Sequence, residues 1–188
     1  ALMTHLSDAD NSNHAYTDRQ LKKFSAVLQK LGTAGCMPPI AHAANSAGIL
    51  FHPQSHFNMV RPGLMLYGYQ PSDSTPSAIP TPLRPILTLQ TKVLQLRSVP
   101  AGSSVSYNGT HITPKESRIA VLPIGYADGF SRALSNRGTV LVKGCRAPIV
   151  GRVCMDMTMI DVTGIPNIHR GDDVILIGSQ GTESITAD

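Results

Sequence analysis

The sequence predicts a chain in two parts, an α/β unit with parallel strands followed by a mostly antiparallel β domain. Three observations carry that reading. Up to Tyr69, short apolar runs alternate with helical patterns in the order strand, helix, strand, helix, strand, which builds a parallel sheet through right-handed crossovers. From Pro82 onward, apolar runs recur between turn residues at short intervals and the helical period is lost, as in an antiparallel β domain or barrel. Between the two, residues 70–85 read "QPSDSTPSAIPTPLRP", a Pro- and Ser-rich stretch expected to be a linker. On this reading the first part covers residues 1–75 and the second 82–188.

The elements follow in order. Residues 2–6 form a short apolar strand, closed by the polar loop "SDADNSN". From about Thr17 the spacing changes: Leu21, Phe24, Leu28 and Leu31 recur at three and four residues with lysines between, the pattern of an amphipathic helix. Gly32 and Gly35 are expected to end it. "PPIAHAAN" is a second strand, "SAGILF" a short helix beginning at Ser46, and "FNMV" a third strand running into "RPGLMLYG". In the second part the β runs are "ILTLQTKVLQLRSV", "RIAVLPIG", "GTVLVKG", "APIVGRVCMDMTMIDV" and "DVILIG". Within the fourth, Met155 and Met157 alternate with Asp156 and Thr158. That is the period of a half-buried strand, so both methionines are core candidates.

Composition narrows the function. The chain has 188 residues, 41% hydrophobic and 15% charged, enough for a real core in one or two domains. Its net charge of +4 is scattered, and no basic run with interleaved aromatics is present, which argues against nucleic-acid binding. A mild positive surplus does suit a small anionic ligand. Cys36, Cys145 and Cys154 are odd in number and lack a C-x-x-C pairing, so neither a disulfide framework nor a zinc site is expected, and a reducing compartment is. No run approaches the ~18 apolar residues of a membrane span, and no signal peptide is visible. The opening "ALMTHL" and the closing "SITAD" suggest a piece of a longer protein.

Ligands of parallel α/β folds bind at the carboxyl ends of strands. His5 ends the first strand, Asn45 and Ser46 follow the second, and Arg61, Pro62 and Gly63 follow the third. A serine at a helix N-terminus with glycine backbone nearby can cradle a phosphate, since free N–H groups and the helix dipole both favour an anion. Arg61 can hold a planar acceptor through its guanidinium fork. Singly, Ser46 is equally a plain helix cap, His5 a half-buried histidine and Arg61 a surface ion-pair partner. Their placement at successive strand ends favours a site. In the second part, Tyr107 in "SYNG" and Tyr126 in "GYADG" stand among turn residues, exposed for chemistry or simply closing hairpins. Residues 152–156 offer backbone N–H groups to a substrate carboxylate. Cys154 has no histidine motif beside it and reads as a small buried hydrophobe. No coherent set of metal ligands is present.

Taken together, "THLSDAD", "HAANSAG", "VRPGLMLYG", "VSYNGT", "IGYADG" and "GRVCMDMTMIDV" occur in the order in which similar segments occur in alanine racemases, and the resemblance spans nearly the whole chain. It implies a pyridoxal 5'-phosphate (PLP) enzyme of fold type III. Residues to about Tyr69 would be the last units of a PLP-binding (β/α)8 TIM-type barrel, and residues from Pro82 most of a barrel-like β domain. It also implies interconversion of L- and D-alanine by a two-base mechanism, supplying D-alanine for peptidoglycan in the cytoplasm, in a head-to-tail homodimer with shared active sites.

By the same resemblance, Tyr107 is the catalytic base and acid on one face of the substrate, and Tyr126 lines substrate entry. His5 lies near the cofactor ring, Ser46, Gly63 and Leu64 hold the phosphate, and Arg61 faces the pyridine nitrogen. Met155 offers its backbone N–H to the substrate carboxylate. The second base of such enzymes is a Schiff-base lysine, and none of Lys22, Lys23, Lys30, Lys92, Lys115 and Lys143 matches it. The missing barrel segment is therefore expected elsewhere, and this chain alone is expected to be inactive. A serine or broad-specificity racemase and a non-catalytic β-domain binding module are the alternative readings.

Overall fold

A computed structural model of the chain describes residues 1–71 and 82–187. It divides into two compact units, Ala1–Ile86 and Leu87–Asp188. Among the described residues no helix is long and apolar enough to cross a membrane, and no group of three or more His, Cys, Asp or Glu side chains could hold a metal ion.

The first unit opens with β1 (Leu2–Met3), shorter than the run that predicts it. Helix α1 (Ala15–Thr33) follows and buries Leu21, Phe24 and Leu28 of the spacing read from the sequence, with Thr17 one turn earlier, while Leu31 is only half-buried. This face packs with Leu6, Ala9, Ala41, Ala43 and Ala47, and the Phe24 ring meets Phe57 edge-on at 5.2 Å. Gly32 lies inside α1 rather than ending it. Gly35 makes the stop: at φ +69 it takes the left-handed turn that lets the chain return, and the Cys36 N–H reaches back to the Leu31 carbonyl at 2.9 Å.

Strand β2 (Ala41–His42) pairs in parallel with β1, Leu2 opposite Ala41 and Met3 opposite His42. The expected third strand is reduced to one parallel bridge between His42 and Met59. Helix α2 (Ser46–Phe51) starts where predicted, but its cap is Asn45: the Asn45 amide oxygen accepts from the Gly48 N–H at 2.9 Å while its amide nitrogen donates to the Leu6 carbonyl at 3.0 Å. Ser46 is thereby freed from the capping role. A 3-10 turn at Leu64–Tyr67 ends at Gly68, φ +84. The predicted linker falls largely on residues 72–81, outside the described residues, yet its two flanks meet. Ile86 N–H donates to the Tyr67 carbonyl at 3.2 Å, and a Cβ on Gly68 would stand 1.9 Å from the Arg84 carbonyl oxygen.

The second unit contains β3 (Leu89–Lys92), β4 (Gln95–Val99), β5 (Ser104–Val105), β6 (His111–Ile112), β7 (Ser117–Leu122), β8 (Thr139–Val142), β9 (Cys145–Pro148), β10 (Thr158–Asp161), β11 (Asp173–Gln180) and β12 (Glu183–Ile185). Every pairing among them is antiparallel, as predicted. One sheet has the order β10-β7-β4, a second β12-β11-β8-β9 with β3 also on β11, and β5 pairs with β6 as a small hairpin. The chain changes sheets at Val93 and Leu94, whose N–H groups donate to Asp172 and Val121 carbonyls. At the other side a single bridge, Ile149 to Ile160, joins the two sheets. Beside that hairpin, the described strands therefore form two linked sheets, the antiparallel β domain expected from sequence and not its barrel alternative. Their shared core includes Val93, Leu122, Val140, Ile149, Val153, Ile160 and Val174.

The run "APIVGRVCMDMTMIDV" is not one strand. It is β9 and β10 separated by a strap, residues 149–157, that leaves the ladder. Gly151 turns it at φ +77, and Cys154 N–H closes a tight turn on the Met157 carbonyl at 2.9 Å. Met155 and Met157 are consequently 62% and 40% exposed, which overturns their reading as core residues.

Two expectations follow. Leu122 is fully buried on β7 in the shared core, so Leu122→Ala should cost about 2–5 kcal/mol in urea unfolding. A cost within error of zero would mean that this core does not hold the second unit. In the first unit His52 is fully buried, with Nε2 on the Ala9 carbonyl at 3.1 Å and no partner for Nδ1. Burial pushes its pKa below the ordinary 6.5. The folded state thus binds fewer protons than the unfolded one, and stability present above pH 6.5 should drain away as pH falls below it. His52→Leu should flatten that acid limb in denaturation measured from pH 7.5 to about 5, leaving the part due to His42, whose pKa burial also lowers.

Candidate active site

The residues singled out in the first unit share one cleft of about 330 Å³. His5, Ser46, Arg61, Gly63 and Leu64 line it, together with Asp10 and Asn45. Short strands explain the arrangement. Because β1 and β2 stop after two residues each, the chain beyond them carries carbonyls released from the ladder, and Arg61 collects them. Its Nη2 donates to the Thr4 carbonyl at 3.1 Å and the Ala43 carbonyl at 3.2 Å, and lies 3.3 Å from His5 Nδ1. Its Nη1 sits 2.6 Å from His42 Nδ1. No carboxylate is among these partners, so Arg61 is not the ion-paired surface residue of the alternative reading.

Arginine only donates, and this settles the state of His42. Its Nδ1 must accept, so the ring is neutral with its proton on Nε2. Burial lowers the His42 pKa, and the Arg61 charge lowers it further. Sequence reasoning missed His42, although "AHAAN" places it at the second strand end just as "THL" places His5 at the first.

Ser46 is buried. Its Oγ accepts from the N–H of Gly63 at 3.0 Å and of Met65 at 3.3 Å. Both lone pairs are used, so its hydroxyl proton remains to be donated elsewhere. A Cβ on Gly63 would meet only Ser46 Oγ, at 3.8 Å, and glycine leaves that space open. The N–H groups of Ser46 and Ala47, in the first turn of α2, have no intrahelical acceptor. A hydroxyl donor, open backbone and a permanent cation form a donor set that fits a small dianionic ligand with a planar nitrogen ring.

Tyr107, Tyr126 and Met155 line a second cleft, of about 430 Å³, in the second unit. Each tyrosine begins a 3-10 turn, Tyr107–Gly109 and Tyr126–Asp128, and they are 71% and 44% exposed. Gly125 lets the second turn lie against the strap, because a Cβ there would stand 2.3 Å from the Cys154 carbonyl oxygen. The N–H groups of Tyr126 and Ala127 then donate to the Cys154 and Met155 carbonyls, both at 2.9 Å. Arg152, which opens the 152–156 stretch noted in the sequence, and Arg132, not singled out from sequence, also line the cleft, and the Arg132 guanidinium lies 5.3 Å from the Tyr126 ring centre. Cys154 is partly exposed in this cleft and is not the buried hydrophobe expected.

Comparison with known proteins places the chain in a family. The family model for the alanine racemase N-terminal domain matches residues 1–71, and the model for the alanine racemase C-terminal domain matches residues 86–188. An alanine racemase of Halothermothrix orenii is 50% identical over 186 residues, covering 99% of this chain and 48% of that protein. Among solved structures, the alanine racemase from Bacillus anthracis with bound L-Ala-P superposes with a TM-score of 0.90 at 42% identity, covering 98% of this chain and 47% of that one. The alanine racemase from Bartonella henselae with covalently bound pyridoxal phosphate gives 0.78 at 38% identity, covering 94% and 47%. The chain spans about half the length of the curated relatives it matches, combining part of the N-terminal barrel with the C-terminal β domain. It belongs to the alanine racemase family.

Proposed function

We propose that this chain carries cofactor- and substrate-binding residues of a PLP-dependent alanine racemase, with 1–75 as barrel and 82–188 as β domain. The observation that carries the reading is the convergence of Ser46, Gly63 and Arg61 on one cleft. Pyridoxal phosphate, when bound, supplies an electron sink that makes the substrate Cα–H acidic enough to transfer. Ser46 would donate its free hydroxyl proton to the phosphate, flanked by backbone at Gly63 and Leu64. Arg61, a permanent cation that only donates, would face the ring nitrogen and keep a proton off it. His5, beside Arg61, would border the ring.

In the second cleft, the Tyr107 phenol would take and return the proton at Cα on one face. The Met155 N–H would hold the substrate carboxylate, and Tyr126 would narrow the approach. Alanine is favoured over serine by the L-Ala-P bound to the similar B. anthracis enzyme. None of the six lysines lines either cleft, so the amine that serves the opposite face is assigned to residues of the longer enzyme. Phenols and anion cradle lie in different clefts. By the family resemblance, the Tyr107 turn of one chain would serve the first cleft of a second, in a head-to-tail dimer.

Ser46→Ala removes the hydroxyl but leaves the Asn45 cap of α2 intact. It should weaken pyridoxal phosphate binding to the apo-enzyme by about 1.5–3 kcal/mol in a fluorescence titration, the worth of one hydrogen bond to a charged group. Equal affinity would remove Ser46 from the cofactor site. For the dimer, Tyr107→Phe and Gly63→Phe proteins should each be nearly inactive. Exchanging their subunits one to one should restore roughly a quarter of wild-type racemisation, since half the dimers are mixed and each has one intact site. No recovery on verified exchange would rule out sites shared between chains.

A further inference from the structure

The backbone around Tyr107 is unusual. Ser106 sits at φ 66, ψ −177, and Asn108 at φ 63, ψ 13. The first is a region held almost wholly by glycine, and a serine stays there only when its surroundings fix it. Three contacts do so. The Ser106 hydroxyl donates to the Arg152 carbonyl at 2.9 Å. Gly151 makes the space, since a Cβ there would stand 2.5 Å from Ser106 Cβ and 2.9 Å from the Val105 carbonyl oxygen. Asn136 fastens the far side of the same turn. Its Oδ1 accepts from Gly151 N–H at 2.5 Å, while its Nδ2 donates to the Thr110 carbonyl at 3.3 Å.

The turn that carries Tyr107 is thus tied at both ends to the strap that carries Met155. Glycine at position 106 would adopt this backbone without strain. What serine adds is its hydroxyl, bonded to the Arg152 carbonyl and 3.5 Å from Cys154 Sγ, and contacts that hold a strained residue directly before the phenol fix where the phenol points. We propose that Ser106 is a positioning residue for Tyr107, its hydroxyl locking the strained turn so that the phenol enters the cleft at a fixed distance from the Met155 strap. The inference rests on the reading of Tyr107 as the proton-transferring group.

The test uses the active holoenzyme. Ser106→Ala keeps the Cβ that strains the backbone and loses the bond, so kcat should fall about tenfold or more, as a misplacement near 1 Å can cause. KM for alanine should stay within about twofold, because Tyr107 acts on the proton and not on the carboxylate. Ser106→Gly, which removes the strain as well, should lose less. In a Tyr107→Phe background, Ser106→Ala should change kcat by less than about twofold, the non-additivity of residues that act as one unit.

A readout independent of turnover is the 19F resonance of 3-fluorotyrosine at position 107, which should shift or broaden in Ser106→Ala while that at Tyr126 stays put. Wild-type kcat in Ser106→Ala, an unmoved Tyr107 resonance, or an equal loss in the Tyr107→Phe background would each overturn the proposal. Tyr107→Phe at wild-type kcat would instead overturn the reading of Tyr107 on which it rests.

Discussion

Where a strand stops, the N–H and C=O groups of the chain beyond it must find partners outside the ladder, and both clefts are built from the partners found. In the first unit β1 and β2 end after two residues each. The carbonyls of Thr4 and Ala43 turn to Arg61, and its guanidinium thereby becomes a fixed piece of the floor instead of a mobile surface charge. In the second unit the strap between β9 and β10 leaves its sheet, and its freed groups are taken by Asn136, Ser106, Tyr126 and Ala127. The residues that line the two clefts are held by bonds that the interrupted sheets had to make in any case.

This economy sets the electrostatics of the first cleft. Arg61 spends its donors on neutral acceptors, two imidazoles and two carbonyls, so its positive charge is held in place without being cancelled. The ion pairs formed by described residues, Lys92–Asp173, Lys143–Asp172 and Arg146–Glu183, all lie in the second unit, with at least one exposed partner in each. Exposed pairs of this kind contribute little to stability. The uncancelled Arg61 charge is placed to act on a ligand in the first cleft.

The sequence was most legible where one physical signal dominated. The spacing of Leu21, Phe24 and Leu28 marks the buried face of α1 because burial alone selects those positions. Tyr107 and Tyr126 were legible as exposed residues because their Gly, Asn and Asp neighbours force turns. Met155 and Met157 were misread because alternation says nothing of whether a partner strand exists. Gly151 turns the chain away before either methionine can pair. "FNMV" failed in the same way, keeping one bridge at Met59. His42 was invisible for a different reason: its role is a hydrogen bond to a residue nineteen positions away, and no local pattern encodes such a partner. Barrel closure is likewise a property of pairing at the rim, here reduced to Ile149 and Ile160.

The contact that joins the two sides of the Pro- and Ser-rich stretch has a wider consequence. Tyr67 and Gly68 are tied to Ile86 and Arg84 within one unit, so the chain is already closed at the base of that stretch. Closing a loop costs free energy only as the logarithm of its length, about 0.6 kcal/mol for each doubling. Length variation among related sequences has an inexpensive place to accumulate here, and a reporter peptide or affinity tag has a natural point of insertion.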